Sequence, residues 1–174
     1  MRGRVYLFAI FLFILFFPSY SHSQENNFEL GVGYGRNLFE SLSTNQLLIA
    51  PAVNFKIPDM KNLWLHIEGD VEIINDDKTT VVAGVAPMLR QFLSDSITLK
   101  PFIEAGAGAN ITSRNGVENR RFGGAFIFSV MAGFGVEFKS GMKISYRFRH
   151  LSNAGLYSPN EGLNSHYLMF SIGF

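Results

Sequence analysis

The sequence predicts an all-β chain folded as an eight-stranded antiparallel up-and-down transmembrane β-barrel, and three observations carry that reading. Apolar residues recur at every second position in segment after segment, while no stretch beyond residue 23 keeps helical spacing for three turns. Connections are short near 58–62, 92–97 and 139–141 and longer near 39–45, 111–121 and 153–163, with 75–78 a short exception. That asymmetry is a property of outer-membrane barrels. Finally, the parity opposite the apolar one carries charges of both signs, which can pair inside a narrow lumen. Alternation alone would equally suit a soluble sandwich with its fatty face inward.

Taken in order, Arg2 and Arg4 precede an apolar run from Val5 to Phe17 that ends in Pro18 and the small-residue site Ser21-His22-Ser23. This pattern reads as a secretory signal peptide, residues 1–23, with residues 24–174 forming the barrel domain. The run falls short of the roughly 18 residues a membrane-spanning helix wants. Phe28, Leu30, Val32 and Tyr34 then alternate with Glu29, Gly31, Gly33 and Gly35, the glycines relieving crowding within a small barrel. Leu47, Ile49, Val53 and Phe55 alternate with Leu48, Ala50, Ala52, Asn54 and Lys56. Leu63, Leu65, Ile67, Val71 and Ile73 interleave with Trp64, His66, Glu68, Asp70 and Glu72, and Asn75-Asp76-Asp77 reads as a hairpin tip. Val81, Ala83, Val85 and Leu89 follow against Gly84, Met88 and Arg90; Leu99, Ile103, Ala105 and Ala107 oppose Lys100, Glu104, Gly106 and Asn110. Phe126, Phe128, Val130, Phe134, Val136 and Phe138 oppose Ser129, Gly133, Gly135 and Glu137, and the final pair covers about 142–152 and 164–174. Each segment approaches the ~10 residues that a tilted strand needs to cross a membrane. Pro51, Pro87 and Pro101 fall inside these strands, where a missing N–H removes a ladder bond. The chain closes on Tyr167 to Phe174, similar to the terminal strand that bacterial outer-membrane proteins present to their barrel assembly machinery, with Phe174 as its final aromatic residue.

Composition excludes other classes. The 174 residues hold 18 Phe, 17 Gly and no Cys, which rules out a disulfide-stapled scaffold and a Cys-ligated metal domain. Removing Arg2 and Arg4 leaves 13 Lys and Arg against 14 Asp and Glu, so nucleic-acid binding has no electrostatic basis. The remaining histidines are scattered, and neither a metal nor another cofactor is expected. Glu68, Asp70 and Glu72 read as members of a lumenal ion network with the Arg and Lys that share their parity.

Polar chemistry breaks the outward row at one place. Along 142–152 the charged parity is Lys143, Ser145, Arg147 and Arg149, so His150 and Ser152 continue the lipid-facing row of Met142, Ile144, Tyr146 and Phe148. Along 164–174 the lipid parity begins with Asn164 and His166. A hairpin symmetric about its loop would set Ser152 near Asn164 and His150 near His166. Ser and His two apart on a strand point the same way, at ~7 Å between Cα atoms, so the imidazole can take the hydroxyl proton as general base. Such a pair suits acyl transfer, with a third Asp, Glu or Asn to hold the far ring nitrogen.

His150-Leu-Ser152-Asn153-Ala-Gly155, followed by Pro159-Asn160-Glu161-Gly162, in the last hairpin of a signal-bearing barrel, resembles the lipid A 3-O-deacylase (PagL) family, also called acyloxyacyl hydrolases. The resemblance implies an integral outer-membrane esterase whose active site lies near the outer leaflet and removes an acyl chain from lipid A of lipopolysaccharide. It implies Ser152 as nucleophile, His150 as base, and Asn153 with the Gly155 amide as oxyanion hole. The family pattern has an acidic third member where this chain has Asn164; Asn164 is expected to orient His150, with Glu161 as the alternative. Tyr146, Phe148 and Phe170 are expected to contact acyl chains. The other class of reading is a non-enzymatic barrel acting as a structural protein or adhesin through loops such as 39–45 and 111–121.

Overall fold

A computed structural model describes residues 27–38, 44–96 and 98–174. The expected signal peptide lies outside these described residues. Ten strands follow in order: β1 Phe28–Asn37, β2 Asn45–Lys56, β3 Leu63–Asn75, β4 Thr79–Phe92, β5 Leu99–Thr112, the short β6 Gly116–Val117 and β7 Arg120–Arg121, β8 Phe126–Phe138, β9 Met142–Ser152 and β10 Leu163–Gly173. The eight long strands close into one antiparallel barrel in the order β1-β10-β9-β8-β5-β4-β3-β2, while β6 and β7 form a separate hairpin. Phe28 and Phe174 exchange backbone hydrogen bonds of 3.3 and 3.0 Å, sealing first strand to last. Closure leaves no unpaired edge, the condition for a sheet to stand in lipid. This fold fits an outer membrane.

All three prolines sit within barrel strands on the outward parity. Toward β3 the ladder pairs Ile49 with Val71 and resumes at Ala52, and toward β5 it pairs Val85 with Ala109 and resumes at Met88. The interruptions fall at Pro51 and Pro87, where there is no N–H to donate.

Eight strands leave an interior that side chains can fill, and here they fill it in layers. At the end where β1 begins and β10 ends, Glu29, Lys56, Trp64, Arg90, Lys100, Glu137 and Lys143 line an open cup of about 540 Å³. Above it Arg90 bridges Glu29 and Glu104 at 2.8 and 2.9 Å, and Arg147 bridges Glu68 and Glu104 at 2.8 and 2.9 Å. His66 joins this belt, 2.7 Å from Asn54 and 3.3 Å from Glu68. Next, Arg149 reaches Asp70 and Asn110 at 2.8 and 2.9 Å, and the Tyr167 hydroxyl donates to Glu72 and lies 2.7 Å from Gln46 Oε1. Tyr167 claims the space beside β1: a Cβ on Gly35 would come within 2.5 Å of its ring. The far end is closed by an apolar plug of Ile74, Val82, Val117, Phe122, Ile127, Leu151 and Leu163, to which the β6–β7 hairpin contributes Val117 and Phe122.

That hairpin is tied down by the turn between β3 and β4. The carboxylate of Asp76 accepts from the backbone N–H of Lys78 and of Glu118, both at 2.6 Å, and from Arg114 at 3.2 Å. Burial pushes the Asp76 carboxyl up, but the two amides and the Arg114 guanidinium outweigh it and hold it below its ordinary value of 3.8.

Two outcomes are expected. Arg147→Met leaves buried Glu68 without a guanidinium partner and Glu104 with Arg90 alone, and should cost about 3–5 kcal/mol, read as a lower urea midpoint for loss of heat-modifiable migration. Because the folded Asp76 value is depressed, its tether is fully present above pH ~4 and is lost as pH falls through the folded value. The protection factor of the Glu118 amide should therefore hold from pH 7 to 5 and fall only as pH drops through the depressed Asp76 value, whereas in Asp76→Asn it is low at every pH.

Candidate active site

The site is built on one hairpin. Leu151 and Leu163 are drawn into the apolar plug, and the period of two therefore turns His150, Ser152 and Asn164 to the exterior, each half-buried. Asn164 is the Cα partner of His150, and its Oδ1 lies 2.8 Å from His150 Nδ1. An amide oxygen only accepts, so the ring proton sits on Nδ1 and the lone pair on Nε2 is left as the basic site. Among the described residues the Ser152 hydroxyl makes no hydrogen bond, to His150 or to any other group. Catalytic hydrogen bonds of unliganded sites are often long and close with substrate in place.

The register differs from that of a symmetric hairpin. His150 pairs with Asn164 and Phe148 with His166, so Ser152 lies level with Gly162 and His166 lies one step away from His150. The loop is lopsided. Asn153 to Leu156 forms a tight turn closed by Leu156 N–H to Asn153 O at 3.0 Å, with Ala154 and Gly155 at φ 52° and 85°. Residues 157–162 then lean on the β6–β7 hairpin. The shift is by two residues, which preserves parity and brings Asn164, rather than His166, to the imidazole.

The residues expected to form an oxyanion hole are engaged elsewhere. Asn153 is fully buried, because it follows Ser152 on the inward parity. Its Nδ2 donates to the carbonyls of Phe122 and Tyr157, and its Oδ1 accepts from the Gly155 N–H at 2.7 Å. Glu161, the alternative third member, is likewise occupied. Its carboxylate accepts from the Arg121 N–H at 2.6 Å, its own N–H donates to the Arg121 carbonyl at 3.1 Å, and Arg120 donates to its carbonyl at 3.3 Å.

These bonds hold Gly162 against the imidazole. At φ 62°, a conformation that disfavours side chains, a Cβ on Gly162 would lie 2.9 Å from His150 Cε1. Sequence reasoning missed this contact, which depends on a loop whose path no periodicity reports.

Tyr146, Phe148 and Phe170 all lie on the exterior parity below His150. Tyr146 stacks between Phe134 and His166 at 5.6 and 5.9 Å, and its hydroxyl is 3.5 Å from His166 Nδ1. This leaves an aromatic, apolar surface running from the polar cluster toward the middle of the barrel wall.

Residues 51–173 match the family described as lipid A 3-O-deacylase (PagL). The chain belongs to that family. It is 40% identical over 82 residues to the lipid A deacylase PagL of Pseudomonas aeruginosa, covering 47% of this chain and 46% of that protein. To the lipid A deacylase PagL of Bordetella bronchiseptica it is 34% identical over 92 residues, 53% of this chain and 49% of that one. The chain thus spans about half the length of the curated relatives it matches. A crystal structure of the outer membrane enzyme PagL superposes with a TM-score of 0.70 at 23% identity, over 84% of this chain and 99% of that one, and shares the fold. The match to the family takes in β3 to β10 and all three residues of the polar cluster, but not β1.

Gly162→Ala is expected to displace the imidazole and to cost about 1–2 kcal/mol through its left-handed backbone. The check is a changed ring-nitrogen NMR signal of His150 in a barrel that still migrates as folded.

Proposed function

We propose that the protein is an outer-membrane serine esterase that hydrolyses an acyl ester of lipid A, the 3-O-linked chain of lipopolysaccharide. The observation that carries this reading is the His150 Nδ1 to Asn164 Oδ1 contact of 2.8 Å on the exterior face that also bears Ser152. Family membership supports the substrate, since the relatives are named lipid A deacylases.

On this reading the chemistry is acyl transfer through Ser152. His150 Nε2 takes the Ser152 proton as Oγ attacks the ester carbonyl. The resulting imidazolium returns the proton to the departing sugar oxygen, leaving an acyl group on Ser152. A water deprotonated by the same nitrogen then releases the fatty acid. Asn164 keeps the ring in the productive tautomer but, being neutral, gives the imidazolium less support than a carboxylate would. The oxyanion role of Asn153 and Gly155 requires the 153–156 turn to release one of its internal bonds when substrate arrives.

A catalytic row on the outer wall lets a lipid approach sideways, with acyl chains over Tyr146, Phe148 and Phe170. The far, plugged end then faces outward and the terminal end faces the periplasm, with residues 1–23 directing export and Phe174 presented to the barrel assembly machinery.

Full-length protein incubated with lipid A, with products read by mass spectrometry, tests the assignment. Ser152→Ala and His150→Ala should each abolish release of the fatty acid while leaving heat-modifiable migration intact. Asn164→Leu should lower kcat by roughly 10–100-fold, a partial loss because the base survives without its orienting partner. Wild-type activity in Ser152→Ala would overturn the reading.

A further inference from the structure

The outward parity of the eight barrel strands is apolar almost throughout, and among the described residues it carries one formally charged side chain, Arg36 of β1. Every other Lys, Arg, Asp and Glu of those strands lies on the lumenal parity. The two histidines of that outer face, His150 and His166, belong to β9 and β10, and the closure order β9-β10-β1 places all three side chains on adjacent strands. Arg36 is the Cα partner of His166, which lies two residues along β10 from Asn164, the partner of His150. With ~5 Å between paired Cα atoms and ~7 Å for two residues along a strand, Arg36 and His150 are on the order of 12 Å apart at Cα.

Arg36 is exposed and has no carboxylate partner among the described residues. Its Nε donates to the Tyr34 hydroxyl at 3.4 Å, and Tyr34 in turn donates to Asn45 Oδ1 at 2.7 Å. That chain steadies one edge of the guanidinium, and among the described residues neither terminal nitrogen has a partner. Arginine on a barrel's outer wall is tolerated near the interfaces, the depth at which lipid head groups lie. A planar guanidinium matches phosphate oxygens in pairs.

We propose that Arg36, with His166 beside it, binds a phosphate group on the sugar head group of the lipid whose acyl chain reaches Ser152; this deepens the esterase reading and rests on it. Lipid A is a phosphorylated, acylated disaccharide; Ser152 lies two residues beyond His150 on β9, so it and Arg36 are on the order of 17 Å apart at Cα, a span that the Arg36 side chain and the disaccharide head group bridge together. Residues 51–173 carry the family match, so Arg36 stands outside it.

The experiment compares matched lipid A preparations, one phosphorylated and one enzymatically dephosphorylated, with full-length protein in detergent. The ratio of kcat/KM between the two lipids should favour the phosphorylated form about tenfold. Arg36→Gln should bring the ratio close to one, chiefly through KM, and Arg36→Lys should restore part of it, all in barrels that migrate as folded. An unchanged ratio in Arg36→Gln overturns the proposal. Binding is read separately by native mass spectrometry on Ser152→Ala chains, so that loss of the esterase reading does not mask the result. Phosphorylated lipid should be held about tenfold more tightly with Arg36 than with Gln at that position. Equal retention overturns the proposal whether or not hydrolysis is seen. Inorganic phosphate at millimolar concentration should fail to displace the lipid; displacement would identify a free-anion site and overturn the head-group assignment.

Discussion

A backbone amide without a partner inside hydrocarbon costs several kcal/mol, and a sheet that must satisfy every one of them has to close on itself. Closure at eight strands is achieved here by the pairing of β1 with β10, sealed by the mutual bonds of Phe28 and Phe174. Once the cylinder is closed, each residue faces either lumen or exterior with no third choice, and polarity on the outer wall becomes conspicuous. The lumen absorbs the charge of the chain through shared pairs, Arg90 and Arg147 both bonding Glu104. What remains outside is apolar apart from a few side chains. The arginine and the two histidines among them gather on β9, β10 and β1.

The same closure builds the site. Leu151 and Leu163 are pulled into the plug, and their neighbours His150, Ser152 and Asn164 are turned out by the pleat. The plug is in turn held by the β6–β7 hairpin, which grips Glu161 through the Arg121 backbone and so sets Gly162 against His150. A loop that crosses the far mouth of the barrel therefore reaches the exterior wall through three successive residues. Asn153 contributes from beneath, its side-chain amide tying the tight turn to the hairpin. In this arrangement the polar loop residues act first as a frame for the imidazole.

The resemblance implies a carboxylate where this chain has Asn164, and the difference has a definite electrostatic meaning for the proposed esterase. The amide oxygen at 2.8 Å fixes the His150 tautomer as a carboxylate would, but it adds no negative charge beside the ring. Under the proposed reading, His150 is an oriented base that gains little stabilisation from its partner when protonated.

The sequence by itself determined the number of barrel strands, the alternation of faces, the sign and location of the lumenal charges, and the outward direction of His150 and Ser152, because a period of two is a local property and needs no partner to be read; the short β6–β7 hairpin, within a segment read as a loop, it did not show. The tertiary structure alone decided register and loop path. The offset by two residues made Asn164 the companion of His150, while the docking of 157–162 on the β6–β7 hairpin engaged Glu161 and pressed Gly162 on the ring. Both depend on contacts between segments far apart in the chain, which alternation does not encode. Arg36 lies between the two cases. Its outward parity was legible in the sequence, but its position beside His166 exists only because the first strand closes on the last.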